Sequence, residues 1–175
     1  MQNTVQPTLP DELVLEICKH VDQEELWVSF RNVNSQYRRC AEDVVKSHVR
    51  EHMTIQLNFA IGIGLKHRWY DIRASINLEC CEVSNEYAFF SAPVFLPESC
   101  RDRAAEKWKE ILAAGIDCAQ AWKISLESSD LRYACLPNLT LSQHGAYIDW
   151  RELLDAFFRK TVPPEQYWAK QWQAV

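Results

Sequence analysis

The residue pairs that could do chemistry in this chain are two histidines and two cysteines. His48 and His52 are four residues apart, a spacing that can hold zinc on one face of a helix. The sequence offers no third ligand at a recognisable spacing, so we expect a solvated or partly buried histidine pair rather than a metal site. Cys80 and Cys81 are adjacent, so their side chains point to opposite faces of a strand and cannot easily share a metal.

The remaining chemical motifs are incomplete. Gly62-x-Gly64 lacks the third glycine, the following helix and the acidic partner of a dinucleotide site. In a strand, such glycines more typically mark a bend or a bulge. The sequence contains no G-x-S-x-G, P-loop or H-E-x-x-H motif. We therefore predict a protein that is not an enzyme and that uses no cofactor or metal.

Composition bounds the class of protein. The chain has 175 residues, of which 47% are hydrophobic and 25% are charged. These proportions predict a packed core rather than disorder, in one domain or in a small module joined to a larger one. The net charge is −5 and lysine and arginine do not cluster, so we do not expect nucleic acid as the main partner.

The sequence pattern also predicts a cellular location. The first ten residues are polar and no apolar run follows them, so we expect no signal peptide. The longest apolar stretch, near residues 59–65, is too short to span a bilayer. We expect a cytoplasmic or nuclear protein with no membrane partner, and we interpret its seven cysteines as small buried hydrophobic residues.

Residues 9–48 have the periodicity of three short helices. Pro10 suits a first helical position, and Asp22 with Glu25 forms a pair typical of a helix N-terminus. Asn34 is a good N-cap for the third helix. Helices this short are marginal on their own, so their apolar residues must pack against something else.

After about residue 52 the apolar period changes from that of a helix to that of a strand. Residues 54–65 and 69–80 alternate strictly, and the polar link at Lys66–Arg68 predicts that they form an antiparallel hairpin. Further strands are predicted near residues 87–91, 122–126, 132–136 and 139–141, and helices at 101–114, at 150–159 and after Pro163-Pro164. The prediction is an α+β protein: a helical module, then an antiparallel β-sheet domain with packed helices, with the boundary near residues 48–53.

Residues 9–48 resemble an F-box. No single dipeptide carries the resemblance; an ordered set of positions does. The set comprises Leu9-Pro10, Glu12-Leu13, Ile17, Val21, Leu26, Phe30-Arg31, Val33-Asn34 and Tyr37-Arg38. The pattern is most similar to fungal F-boxes, although many members carry Cys and Trp where this chain has Asn34 and Tyr37.

The resemblance implies a role in ubiquitin ligation. F-boxes pack their helices into the Skp-type adaptor of an SCF (Skp–cullin–F-box) ubiquitin ligase. On this basis residues 1–8 are an N-terminal tail, 9–50 the F-box and 53–175 an α+β substrate-binding domain. The implied partners are the adaptor, a cullin held through it and an unknown target protein, for which the chain is a non-catalytic receptor. The implied adaptor contacts are Leu9, Pro10, Leu13, Ile17, Leu26, Phe30, Val33 and Tyr37.

Other interpretations of the same residues stay open. The apolar positions could simply be the core of a three-helix cap, and Val14, Trp27 and Val44 are either extra contacts or core. An F-box protein can also bind the adaptor without taking part in ubiquitination.

The sheet domain has its own alternatives. A Trp-rich antiparallel sheet could bind a small ligand or a glycan. Trp69, on the polar face of its strand beside Arg68 and Arg73, could contact a target or pack under a neighbouring segment.

Overall fold

The structure is a computed structural model that describes residues 9–63, 71–115, 121–127 and 130–158. The chain divides into two compact units, Met1–His48 and Val49–Val175. Several predictions concern positions outside the described residues: the 66–68 link, Gly64, Trp69 and the helix after Pro163 with Trp168 and Trp172.

The first unit is helical, as its periodicity predicts. Helix α1 is Asp11–Cys18 and α2 is Gln23–Val28. A single-turn 3₁₀ helix at Phe30–Asn32 precedes α3, Ser35–His52. Helix α3 extends four residues past His48, the last residue of the first unit.

Two of these helices begin at the predicted N-caps. Asp22 Oδ1 accepts hydrogen bonds from the backbone N–H groups of Glu24 (2.9 Å) and Glu25 (3.3 Å). Asn34 Oδ1 accepts one from the backbone N–H of Tyr37 at 2.9 Å. Each cap satisfies amides that have no partner within their own helix, which is why the helices start where they do.

The second unit is built on one antiparallel sheet. Its strand order is β6-β5-β1-β2-β3-β8-β7, with β4 also paired to β2. The strands are β1 Thr54–Ile63, β2 Asp71–Val83, β3 Tyr87–Phe90, β4 Val94–Leu96, β5 Ala121–Glu127, β6 Asp130–Cys135, β7 Thr140–Ser142 and β8 Gly145–Asp149. The α+β class with an antiparallel sheet is thus confirmed.

The first two strands pair as the alternation predicts. Leu57 is opposite Ile76 and Ile55 is opposite Leu78, and all four side chains are buried. The register shifts between Ala60 and Gly62, so this glycine lies at an irregularity of the strand, as expected from a Gly that interrupts an alternating pattern.

The sequence pattern did not predict two of the strands, β4 and β8. The stretch between Pro93 and Pro97, expected to be a loop, contains β4, which pairs with Ser75–Asn77 of β2. Strand β8 was not predicted at all, although it pairs with both β3 and β7. Strand β4 has three residues and is too short to show an alternating pattern of apolar and polar residues. Strand β8 begins with Gly145 and Ala146, whose small side chains add little to such a pattern.

Within its described residues, the second unit also contains two α-helices. Helix α4, Arg101–Ala114, ends at Gly115 as predicted and contacts β1 and β4. Helix α5, Trp150–Phe158, contacts β8 and also β6, although four strands separate these two in the sheet. The sheet therefore curves around α5, whose buried residues are Trp150, Leu153, Leu154, Phe157 and Phe158.

Side-chain hydrogen bonds hold α5 at both ends. The Trp150 indole and the Arg151 guanidinium both donate to the backbone carbonyl of Asn85, at 3.3 and 2.7 Å. At the other end the Arg132 guanidinium donates to the carbonyl of Phe157 at 3.1 Å. A cation at a helix C-terminus also complements the helix dipole.

Within the described residues, none of the helices combines the length and the apolar content that a membrane crossing requires.

Candidate interaction surface

Helix α1 carries apolar side chains on two adjacent stripes, and only one of them is buried. Val14 and Cys18, four residues apart, are both 0% exposed. Leu13 and Ile17, also four residues apart, are 52% and 41% exposed. Residues at this spacing lie one above the other on a helix, so Leu13 and Ile17 form an uncovered aliphatic ridge.

A network of hydrogen bonds fixes the start of this ridge against α3. The Gln36 amide donates to the carbonyl of Leu9 at 2.6 Å and to Asp11 Oδ1 at 2.7 Å. Arg39 donates to the other carboxylate oxygen of Asp11. The first turn of α1 therefore lies beside the first turns of α3, and Leu9, which is 42% exposed, lies next to Gln36.

Further apolar residues with exposed surface lie in and after the 3₁₀ turn and at the start of α3. Val33 is the most exposed large hydrophobic residue there, at 62%. The rings of Phe30 and Tyr37 lie against each other with centroids 4.7 Å apart, and both side chains are half-buried. We call Leu9, Leu13, Ile17 and Val33 the aliphatic face.

Most of the residues implied as adaptor contacts are accessible. Leu9, Pro10, Leu13, Ile17 and Val33 are exposed, and Phe30 and Tyr37 are half-buried. Leu26 is 1% exposed and offers no surface to a partner, so we move it from the contact set to the core. Its position explains this: in α2 it packs inward together with Trp27, the adjacent buried residue.

The structure also shows whether Val14, Trp27 and Val44 are buried. Val14 and Trp27 are buried, which assigns them to the core, whereas Val44 is half-buried. The Arg31 guanidinium lies 3.8 Å from the centroid of the Trp27 ring.

One exposed residue of this unit was missed from the sequence. Val28 ends α2 and is 51% exposed. The sequence could have indicated this, because Leu26, Trp27 and Val28 are consecutive apolar residues. Three consecutive side chains of a helix cannot all lie on the same face, so at least one of them must be exposed. Its carbonyl accepts a hydrogen bond from the Asn32 side chain at 2.7 Å, which fixes the turn after it.

Charged groups lie on the last turn of α1 and directly after it. Lys19 donates to Glu16 at 2.9 Å, and the ring of His20 lies 3.6 Å from the same carboxylate. The hydrogen bond and the charge of Lys19 lower the pKa of Glu16 below its usual value.

The residues that could have done chemistry do not converge. Among the described residues, no three His, Cys, Asp or Glu side chains lie close enough together to hold a metal ion. A 2.8 Å hydrogen bond joins the Gln23 amide to Nδ1 of His48, and His52 lies 3.9 Å from Glu51. Burial raises the pKa of Cys80 to about 12, so its thiol stays protonated and is a poor nucleophile.

No protein-family model, curated protein or solved structure matches this chain.

Proposed function

We propose that residues 9–48 are an F-box that binds a Skp-type adaptor, and that the chain is a substrate-recognition subunit of an SCF-type ubiquitin ligase. Residues from about 53 onward would hold the target protein, in the cytoplasm or the nucleus. The proposal rests on the ordered pattern of positions in residues 9–48 and on the surface that those residues present.

The observation that carries the proposal is the uncovered ridge on α1. Leu13 and Ile17 are each about half exposed, in a helix whose other apolar stripe is buried. Removing the exposed half of a leucine or isoleucine side chain from water stabilises a complex by roughly 1 kcal/mol. Together with Leu9 and Val33, which are also exposed in this unit, Leu13 and Ile17 would supply the anchors that an interface of this kind needs.

In this role the chain makes and breaks no bonds itself. It would hold a lysine of the target near the ubiquitin-charged conjugating enzyme, which raises the effective concentration of the two reacting groups. This contribution requires no nucleophile, general base or metal in the receptor.

Co-expression with a Skp adaptor, followed by gel filtration, tests the proposal. We expect the wild-type chain to co-elute with the adaptor and the double variant L13A/I17A to lose co-elution while its circular dichroism spectrum stays unchanged. Leu131→Ala is the matched control, because Leu131 is exposed to a similar degree (48%) but lies on β6 of the second unit. Co-elution of a folded L13A/I17A variant would refute the contact assignment.

A second measurement separates a ligase subunit from an F-box protein that acts outside ubiquitination. Cullin should co-purify with the chain and the adaptor if the chain is a ligase subunit. An adaptor complex that excludes cullin would instead support the ligase-independent role.

A further inference from the structure

The outer face of the sheet carries an unusual set of aromatic side chains. Phe89 of β3 is directly opposite Tyr147 of β8, and their ring centroids are 4.7 Å apart. Tyr87, two residues before Phe89, projects from the same face, because alternate residues of a strand share a face. Tyr87 and Tyr147 are 53% and 45% exposed.

These rings are not among the buried residues that form the core of the second unit. The alternate residues of the same two strands, Ala88, Phe90, Ala146 and Ile148, are buried on the inner face. An antiparallel sheet with one buried face normally has polar residues on the other. Adjacent aromatic rings on the solvent side therefore offer apolar surface that a partner could cover.

Carboxylates flank the rings on the neighbouring strand. Glu82 of β2 is directly opposite Phe89, so the two side chains lie side by side on the outer face. Glu79 precedes it on β2 and is bonded through its backbone to Ser91, just beyond β3. Both glutamates are exposed, and neither is ion-paired within the part of the chain that the structure describes.

The two strands that carry these rings contain no basic residue. Strand β7, which pairs with β8, contains none either. Tyr87, Phe89, Tyr147, Glu79 and Glu82 thus combine π-systems and negative charge; we call them the acidic aromatic face.

We propose that the acidic aromatic face binds a Lys- or Arg-bearing segment of a partner protein. A guanidinium or ammonium group would lie over the Phe89 and Tyr147 rings, to which the ring quadrupole attracts it, while Glu82 supplies the opposite charge. The suggestion that this face holds a ubiquitination target rests on the proposed function. The suggestion that it binds a basic peptide does not depend on that function.

A fluorescent peptide of alternating Arg and Gly, titrated into the full-length chain and followed by anisotropy, tests the inference. We expect binding that weakens as salt is added, and Glu82→Gln and Tyr147→Ser should each weaken it by about two- to fivefold. Glu106→Gln is the matched control, because it removes the same charge from an exposed site on α4 and should leave binding unchanged.

Equal binding of the peptide by wild type, Glu82→Gln and Tyr147→Ser would overturn the inference, as would no binding to wild type. Binding of a neutral glucan oligosaccharide in place of the peptide would overturn it too, since stacking alone would then explain the rings. The same two variants should still co-elute with the adaptor, so failure at this face and failure of the adaptor assignment are distinguishable.

Discussion

Gln36 on α3 donates a hydrogen bond to the carboxylate of Asp11 on α1 at 2.7 Å. The same amide bonds the carbonyl of Leu9 at 2.6 Å, so one side chain ties together the two elements that present the aliphatic face. This polar contact therefore holds the start of α1, where Leu9 and Leu13 lie, against α3.

Replacing Gln36 with alanine should loosen the start of α1. The variant removes both hydrogen bonds, and we expect the free energy of unfolding to fall by about 1 kcal/mol per bond lost. Urea denaturation measures this. Arg38→Ala, an exposed position two residues along the same helix, is the control and should stay within about 0.5 kcal/mol of wild type. A Gln36→Ala variant as stable as Arg38→Ala would contradict the role of this contact.

Asn34 has a local structural function at the start of α3, where it accepts a hydrogen bond from the backbone N–H of Tyr37. Asn34→Ala should destabilise the chain by about 1 kcal/mol, because the Tyr37 amide loses its acceptor. Asn34→Asp should retain wild-type stability, since aspartate caps equally well. Thermal denaturation checks both variants, and equal melting temperatures for Ala and Asp would disprove the cap.

Core and contact residues of the first unit should separate by stability. Leu26→Ala should lower the free energy of unfolding by about 2–5 kcal/mol, since it leaves a cavity at a 1% exposed position. Leu13→Ala, at a 52% exposed position, should cost less than about 1 kcal/mol. Chemical denaturation of both variants measures the difference. The reverse order of stability would mean that the ridge, and not Leu26, is packed within the chain.

Two adjacent cysteines should differ in reactivity. Cys80 has its pKa raised to about 12 by burial, whereas Cys81 is exposed, so iodoacetamide should label Cys81 first, as read by mass spectrometry.

The same rise in the pKa of Cys80 has a consequence for stability. At pH values between the usual thiol pKa and 12, the unfolded chain loses the Cys80 proton and the folded chain keeps it, so the free energy of unfolding should fall as pH rises through this range. Cys80→Ser should reduce that fall. Labelling of Cys80 and Cys81 at the same rate would contradict the burial of Cys80, on which both predictions depend.

Periodicity predicted most of the fold where it was long enough to read. Residues 54–59 alternate cleanly, and Ile55, Leu57 and Phe59 are indeed buried. Helix N-caps could also be predicted from the sequence, since Asp22 and Asn34 cap α2 and α3 as expected. Strand β4 was missed because its formation depends on a long-range partner, Ser75–Asn77, and not on its own three residues.

The surfaces were harder to predict than the elements. Leu13 and Leu26 are both leucines at helical positions, and only the packing of the chain decides that one is exposed and the other buried. The outer aromatic pair was missed for the same reason, because Phe89 and Tyr147 are 58 residues apart in sequence and are brought together only by the β3–β8 register.

Calorimetric titration of a purified Skp adaptor into the full-length chain tests the central claim most directly. We predict saturable one-to-one binding by wild type and Leu131→Ala, and affinity reduced by at least about tenfold in the L13A/I17A variant. Absence of binding by the wild-type chain, or equal affinity in wild type and a folded L13A/I17A variant, would contradict the assignment of the aliphatic face as an adaptor-binding surface.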